Sequence, residues 1–241
     1  MSLPATRSTM LAAAAMVSLS LVGGGFLLGD GLRRARLADR SVTVRGLAER
    51  DVTADLATWT LVFSDTGTEL GPVQASIDEK SRAVRAFLGR AGFPAGSVTD
   101  TGASVNQFFD NNRQQNVVTV RRRLQLRTGD VRRVRAAFAR QADLIRAGVP
   151  LEEGSGVVYS FTKLNAIKPT MIAESTRNAR AAAEQFADDS GADVGGIKSA
   201  SQGYFSIGAR DGDVDGEGGS GGNDSPDQKV RVVTSIEFYL R

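Results

Sequence analysis

The closing segment KVRVVTSIEFYLR, residues 229–241, places the tightest constraint on the fold: Val230, Val232, Thr234, Ile236, Phe238 and Leu240 alternate with polar partners. Successive side chains of a strand point to opposite faces, so this pattern specifies a strand buried on one face and wet on the other. Such a sheet needs a covering layer. Residues 164–207 can supply it, reading as a turn with a proline, a long alanine-rich helix, an exit shaped by Gly191, Gly195 and Gly196, and a strand. In that helix Ile172, Ser175, Ala179, Ala183 and Phe186 form a stripe whose small members permit close packing on a sheet. Glu174, Arg177, Arg180 and Glu184 lie elsewhere and can pair at helical spacing.

The preceding chain supplies the rest of the domain. Residues 41–48 and 51–64 read as two extended runs, and the Glu49-Arg50-Asp51 junction predicts a hairpin between them. In the second run Val52, Ala54 and Leu56 share one face while Trp59, Leu61 and Phe63 share the other, which requires a bulge or cover on both faces. Val73, Ile77, Val84, Leu88 and Ala91 then recur at helical intervals, with Pro72 in the first turn and Gly92 as the stop. A second strand pair follows, SVTDTGASVNQFF and NVVTVRRRLQLRT, joined by a polar turn at residues 110–115. In its latter strand Val118, Val120, Leu124 and Leu126 make the apolar face, on which Arg122 also falls. An arginine there is a rim residue with a buried stem, a partner of a carboxylate, or part of a subunit contact. One helix is expected next, with Val131, Val134, Phe138, Ala142 and Ile145 inward and Gly148 at its end, followed by a short strand carrying Val157, Tyr159 and Phe161.

This order of elements predicts an α+β fold, helices packed on a largely antiparallel sheet, as a single domain over residues 41–241. Residues 208–228, rich in glycine and acid, read as a flexible loop within it. Ahead of the domain, residues 8–29 carry no charge, and residues 10–29 match the roughly 20 apolar residues that a bilayer's hydrocarbon core demands. Residues 1–29 are therefore expected to be a transmembrane signal anchor, the alternative being a cleaved secretory signal. Gly29 and Gly31 make a poor cleavage site, which favours the anchor. A basic tether with Arg33, Arg34, Arg36 and Arg40 occupies residues 30–40. Those arginines would prefer the cytoplasm, yet a long downstream domain is exported despite such charges. The expected location is the inner membrane, single-pass, with the domain in the periplasm.

Composition excludes much chemistry. The 241 residues contain no cysteine and no histidine, which rules out a thiol nucleophile, a disulfide framework, a histidine base and a typical zinc site. Thirty basic residues against 27 acidic ones give a formal charge of +3, a balance that is no nucleic-acid signature. Arg121, Arg122 and Arg123, with Arg132, Arg133, Arg135 and Arg140, lack the interleaved aromatic platform of a single-strand binder, so no nucleic-acid partner is expected. Asp211, Asp213, Asp215 and Gly216 reproduce the first half of a calcium loop. Position twelve, however, is Gly222 where a bidentate glutamate is required, so a solvated acidic loop is the favoured reading. The sequence GGSGG at residues 218–222 fits the pattern G-x-S-x-G without the strand-to-helix turn or the histidine that give it meaning.

VTVRGLAERDVTADLATWTLVFS, the helix exit NARAAAEQFADDSGADVGGIKSASQG and the final VRVVTSIEFYL together resemble the SIMPL domain family. The likeness runs from about residue 41 to residue 241. It implies a bacterial envelope protein of α+β fold, with some relatives forming oligomers and some linked to stress tolerance, and it brings no agreed catalytic residues. Many relatives carry a proline- and alanine-rich loop where this chain has its acidic glycine loop. The expected function is a membrane-anchored envelope module that acts by binding, through self-association, without catalysis. No catalytic, cofactor-binding or metal-binding residue is assigned, and the expected partners are the membrane and further copies of the chain. The competing reading is a carboxylate-dependent hydrolase of a cell-wall or glycan substrate, using a pair such as Glu152 with Glu153 or Asp188 with Asp189. A third is a ligand pocket near Trp59 or Tyr204.

Overall fold

The structure, a computed structural model, describes residues 5–38, 40–211 and 224–241, with the side chains of the first helix described over residues 15–31. The elements in chain order are α1 (Ala5–Ala38), β1 (Ser41–Thr53), β2 (Leu56–Gly67), α2 (Leu70–Arg90), β3 (Val98–Asp110), β4 (Gln115–Thr128), α3 (Val131–Phe138), α4 (Ala142–Arg146), β5 (Gly156–Ser160), α5 (Leu164–Ser190), β6 (Val194–Gln202), β7 (Ser206–Ala209) and β8 (Asp227–Leu240). The fold is α+β, as the order of elements predicts. It contains two four-stranded sheets, ordered β3-β4-β2-β5 and β1-β8-β6 with β7 also on β8. Within the domain two compact units are distinguishable, one of Met1–Ala48, Ile172–Tyr204 and Val232–Arg241, the other of Glu49–Met171 and Phe205–Arg231.

The first unit is organised by the closing strand. Val232, Thr234, Ile236 and Phe238 are buried on one face of β8, as their alternation demands. The small-residue stripe of α5 lies on that face at i, i+4 spacing: Ser175, Ala179, Ala183 and Ala187 are buried, while Phe186 is half exposed. The apolar pattern places Phe186 in the stripe, but a strict four-residue step selects Ala187. The approach is close enough that β1 must present a glycine. A Cβ on Gly46 would collide with the Ser175 carbonyl oxygen and lie 2.6 Å from Ala179 N. Ser175 Oγ and Thr234 Oγ1 are 2.8 Å apart in this apolar setting.

The second unit packs α2, α3 and α4 on one face of its sheet. Trp59, Leu61 and Phe63 of β2 and Val118, Val120, Leu124 and Leu126 of β4 are buried beneath Val73, Ile77, Val84 and Leu88 of α2. Trp59 meets Phe87 and Phe138 edge-on at ring separations of 6.2 and 5.6 Å, the arrangement that ring quadrupoles favour. Asp130 caps α3 by accepting from the Arg133 backbone N–H at 3.1 Å.

Several expectations need correction. The predicted hairpin between the first two strands does not form: β1 continues unbroken through Glu49, Arg50 and Asp51, and β1 and β2 belong to different sheets. Strand propensity reports extension and is silent about the partner. The helix expected from residue 131 to residue 147 is two helices, because Arg140, Gln141, Asp143 and Leu144 donate to carbonyls three residues back. That tighter winding rotates α4, so Leu144 is buried while Ile145 is 61% exposed. Pro169 lies inside α5, which starts at Leu164, instead of ahead of it. The ends of the expected acidic loop are strand, since Gly208 and Ala209 belong to β7 and Asp227 and Gln228 to β8. Residues 212–223, including Asp213, Asp215 and the GGSGG run, lie outside the described residues. Residues 5–38 form one continuous helix.

Candidate interaction surface

The most exposed feature of the second unit is the β3–β4 hairpin. Its strands pair antiparallel from Val98 opposite Leu126 to Asp110 opposite Gln115, with one irregularity between Asp100 and Gly102. The hairpin closes at residues 111–114, where Gln114 takes a φ of 51°. β3 is the edge of its sheet, and nearly all of it is exposed, from Thr99 to Phe109. Val105 is 56% exposed, Phe108 53% and Phe109 51%. Cross-strand pairing fixes their faces. Phe108 is opposite Val117 and Asn106 opposite Thr119 on the face away from the helices, while Val105 is opposite Val120 on the helix-side face.

The base of the hairpin is held by Arg122, the arginine on the apolar face. Its guanidinium is 2.8 Å from Asp78, 3.1 Å from Ser81 Oγ and 3.7 Å from Asp100. The side chain keeps 18% of its exposure, so it is a rim arginine paired with carboxylates, with its stem over the core. Arg122 thereby links α2 to both strands of the hairpin.

On the opposite, polar face Arg121 Nε donates to Glu152 Oε2 at 2.7 Å, and the other Glu152 oxygen accepts from Ser64 Oγ. The Ser64 bond and then the Arg121 guanidinium hold Glu152 below the usual glutamate range. Lys80 Nζ donates to the Ser64 carbonyl at 2.8 Å and pairs with Asp65 at 3.3 Å. Glu152 and Glu153 border a shallow recess with Arg121 and Gly154. With both oxygens engaged and its proton readily lost, Glu152 is unsuited to donate a proton in the manner of a glycosidase acid. Asp188 and Asp189 fall in the exposed last turn of α5.

A larger cleft, about 780 Å³, opens where α3 begins, between Asp55, Asp130, Arg132, Arg135 and Asp227. Asp55 accepts from the Thr162 backbone N–H at 2.8 Å and its hydroxyl at 3.1 Å. Burial acts to raise its pKa, but those two bonds and Lys163 together hold it below the usual aspartate value. Asp130 is occupied in capping α3. Asp211, the described member of the calcium-like run, forms a two-pronged pair with Arg210 at 3.0 and 3.2 Å. Among the described residues no group of carboxylates is arranged to hold a metal ion. Trp59 is fully buried in the core and Tyr204 fully exposed, so neither lines an apolar pocket. Sequence reasoning passed over Val105, Phe108 and Phe109. The available signal was their failure to alternate, which leaves neither face of β3 able to sink wholly into a core.

The two sheets and the helices packed on them make an α+β domain in which β3 is the most exposed strand of its sheet. The family described as SIMPL, a protein of unknown function (DUF541), matches residues 42–238, and the chain belongs to this family. No curated protein matches the chain.

Proposed function

We propose that this protein is a membrane-anchored module of the bacterial envelope that works by self-association, without catalysis, in a role tied to stress tolerance. The carrying observation is α1. Met16, Leu19, Leu21, Val22, Phe26 and Leu27 are each more than two-thirds exposed, and their positions distribute around the helix. A helix that is apolar on every side and left uncovered among the described residues has a natural environment in hydrocarbon. Among the described residues no helix is long and apolar enough to cross a membrane. The uncharged run of the sequence begins at residue 8, ahead of the described side chains, and over its whole length it meets the bilayer requirement of about 20 residues.

Self-association is supported by the uncovered hairpin, and the periplasmic location by the family resemblance. Fractionation of cells expressing the full chain tests the anchor. The full chain is expected to stay in the membrane pellet after an alkaline wash, and a form lacking residues 5–38 to be soluble. Recovery of the uncleaved full chain in the soluble fraction would refute the anchor.

A further inference from the structure

We propose that the free edge of β3 is the self-association surface, and that two copies of the chain join antiparallel through residues 104–110 with Gln107 on the two-fold axis. This rests on the self-association reading and names the surface that performs it. Past the irregularity between Asp100 and Gly102, β3 shows none of the usual protections of an edge among the described residues. It contains no Lys, Arg or Pro, and its only charges are Asp100 and Asp110 near its ends. Natural sheets ordinarily guard a long exposed edge with lysines, prolines or cover, because its unpaired N–H and C=O groups template another strand.

Side-chain chemistry chooses the register. A two-fold axis perpendicular to the sheet keeps each face on its own side, so the axis passes through one residue and partners are equidistant from it. Centred on Val105, the pairing leaves Phe108 facing Gly102 and carries Phe109 to the irregularity before it. Centred on Ser104, it leaves Val105 facing Ala103 and carries both phenylalanines past the irregularity between Asp100 and Gly102. Centred on Asn106, it leaves Phe108 facing Ser104 and Phe109 facing Ala103. Centred on Gln107, it sets Val105 opposite Phe109 twice on one face and Asn106 opposite Phe108 twice on the other, while Asp110 meets Ser104. The same register brings the turn residue Arg113 of each copy level with Thr101, beside Asp100 of its mate, so that opposite charges approach at both ends. Arg113 is 74% exposed and only 3.8 Å from its own Asp110 at the closest, a contact loose enough to be exchanged. Of these four registers, only the one centred on Gln107 sets Phe109 against a second large apolar residue, Val105.

The chain contains no cysteine, so Gln107→Cys creates a single thiol with no background. Directly opposed residues place their Cβ atoms about 4.5–5.5 Å apart, a small adjustment from disulfide geometry. Full-length Q107C in detergent micelles under mild oxidation is expected to form a covalent dimer. V158C, on the half-exposed β5 at the other edge of the same sheet, is expected to stay uncrosslinked. Independently, Phe109→Lys is expected to weaken self-association at least about tenfold with Trp59 emission unchanged. The proposal is overturned if Q107C crosslinks no faster than V158C, or if F109K associates as the wild type does. Should the protein associate under either of those outcomes, another surface is responsible and the self-association reading survives. A protein that is monomeric throughout removes both.

Discussion

Ser175 and Thr234 form a polar link in the contact between α5 and β8. Ser175 Oγ donates to the Ile172 carbonyl at 3.0 Å, and its oxygen lies 2.8 Å from the Thr234 hydroxyl. Both residues are buried, so each hydroxyl is satisfied only by the other or by the helix. Removing one partner of such a pair costs more than removing both, because the survivor is left desolvated and unbonded. Ser175→Ala is expected to destabilise by about 1–3 kcal/mol, and adding Thr234→Val to recover part of that loss. Urea denaturation of the two singles and the double gives the coupling.

Gly46 sets the depth at which α5 rests on β1. Because a Cβ there would meet backbone atoms of Ser175 and Ala179, which cannot rotate aside, Gly46→Ala is an overpacking change of about 1–3 kcal/mol. Gly89 is the control. It is exposed near the end of α2, and a Cβ added to it would point into open space, so Gly89→Ala is expected to stabilise by about 0.5–1 kcal/mol. Melting temperatures shifted in opposite directions check the pair.

Arg122 draws on three partners from α2 and β3. Arg122→Ala strips the guanidinium from Asp78, Ser81 and Asp100, leaving the buried Ser81 without that donor, and is expected to cost about 1–3 kcal/mol. Asp78 is half exposed, so water can replace part of what Asp78→Asn loses, and the milder effect is expected there. Trp59, the single tryptophan, is fully buried, and the red shift of its emission on unfolding reports both variants.

Acid weakens the fold through carboxylates whose pKa values are held down. Ser64 and Arg121 lower that of Glu152, and Ser41, Lys198 and Ser199 lower that of Glu237. A depressed group binds its proton more readily in the unfolded chain, so stability rises with pH in the window between the two values. The contribution is fully present above the ordinary glutamate value of 4.5 and is lost as pH falls through the lower folded value. Glu152→Gln is expected to flatten the stability profile across that window. An unchanged slope would show that Glu152 gains nothing from its partners.

The sequence made periodic features legible and left geometric ones hidden. The alternation of Val232, Thr234, Ile236 and Phe238 and the helical spacing of Val73, Ile77, Val84 and Leu88 correspond directly to buried faces. The parity of β4 put Arg122 on the apolar face, and its ion pairs with Asp78 and Asp100 make it a rim residue. The partner of β1 was not legible, since Glu49-Arg50-Asp51 looks like a turn and only the ladder shows it to be strand. Nor was the choice of Leu144 over Ile145, which depends on a few hydrogen bonds that wind the chain more tightly after Phe138. The exposed Val105, Phe108 and Phe109 gave a weaker signal: their failure to alternate marks a strand with no wholly buried face, without showing which surface it forms.

The mass of the full chain in detergent micelles, measured by light scattering with the detergent subtracted, bears most directly on the account. Self-association predicts a concentration-dependent multiple of 25.5 kDa that decreases when Phe109 is replaced by lysine. A mass of one chain at every concentration, with α1 intact, would contradict it.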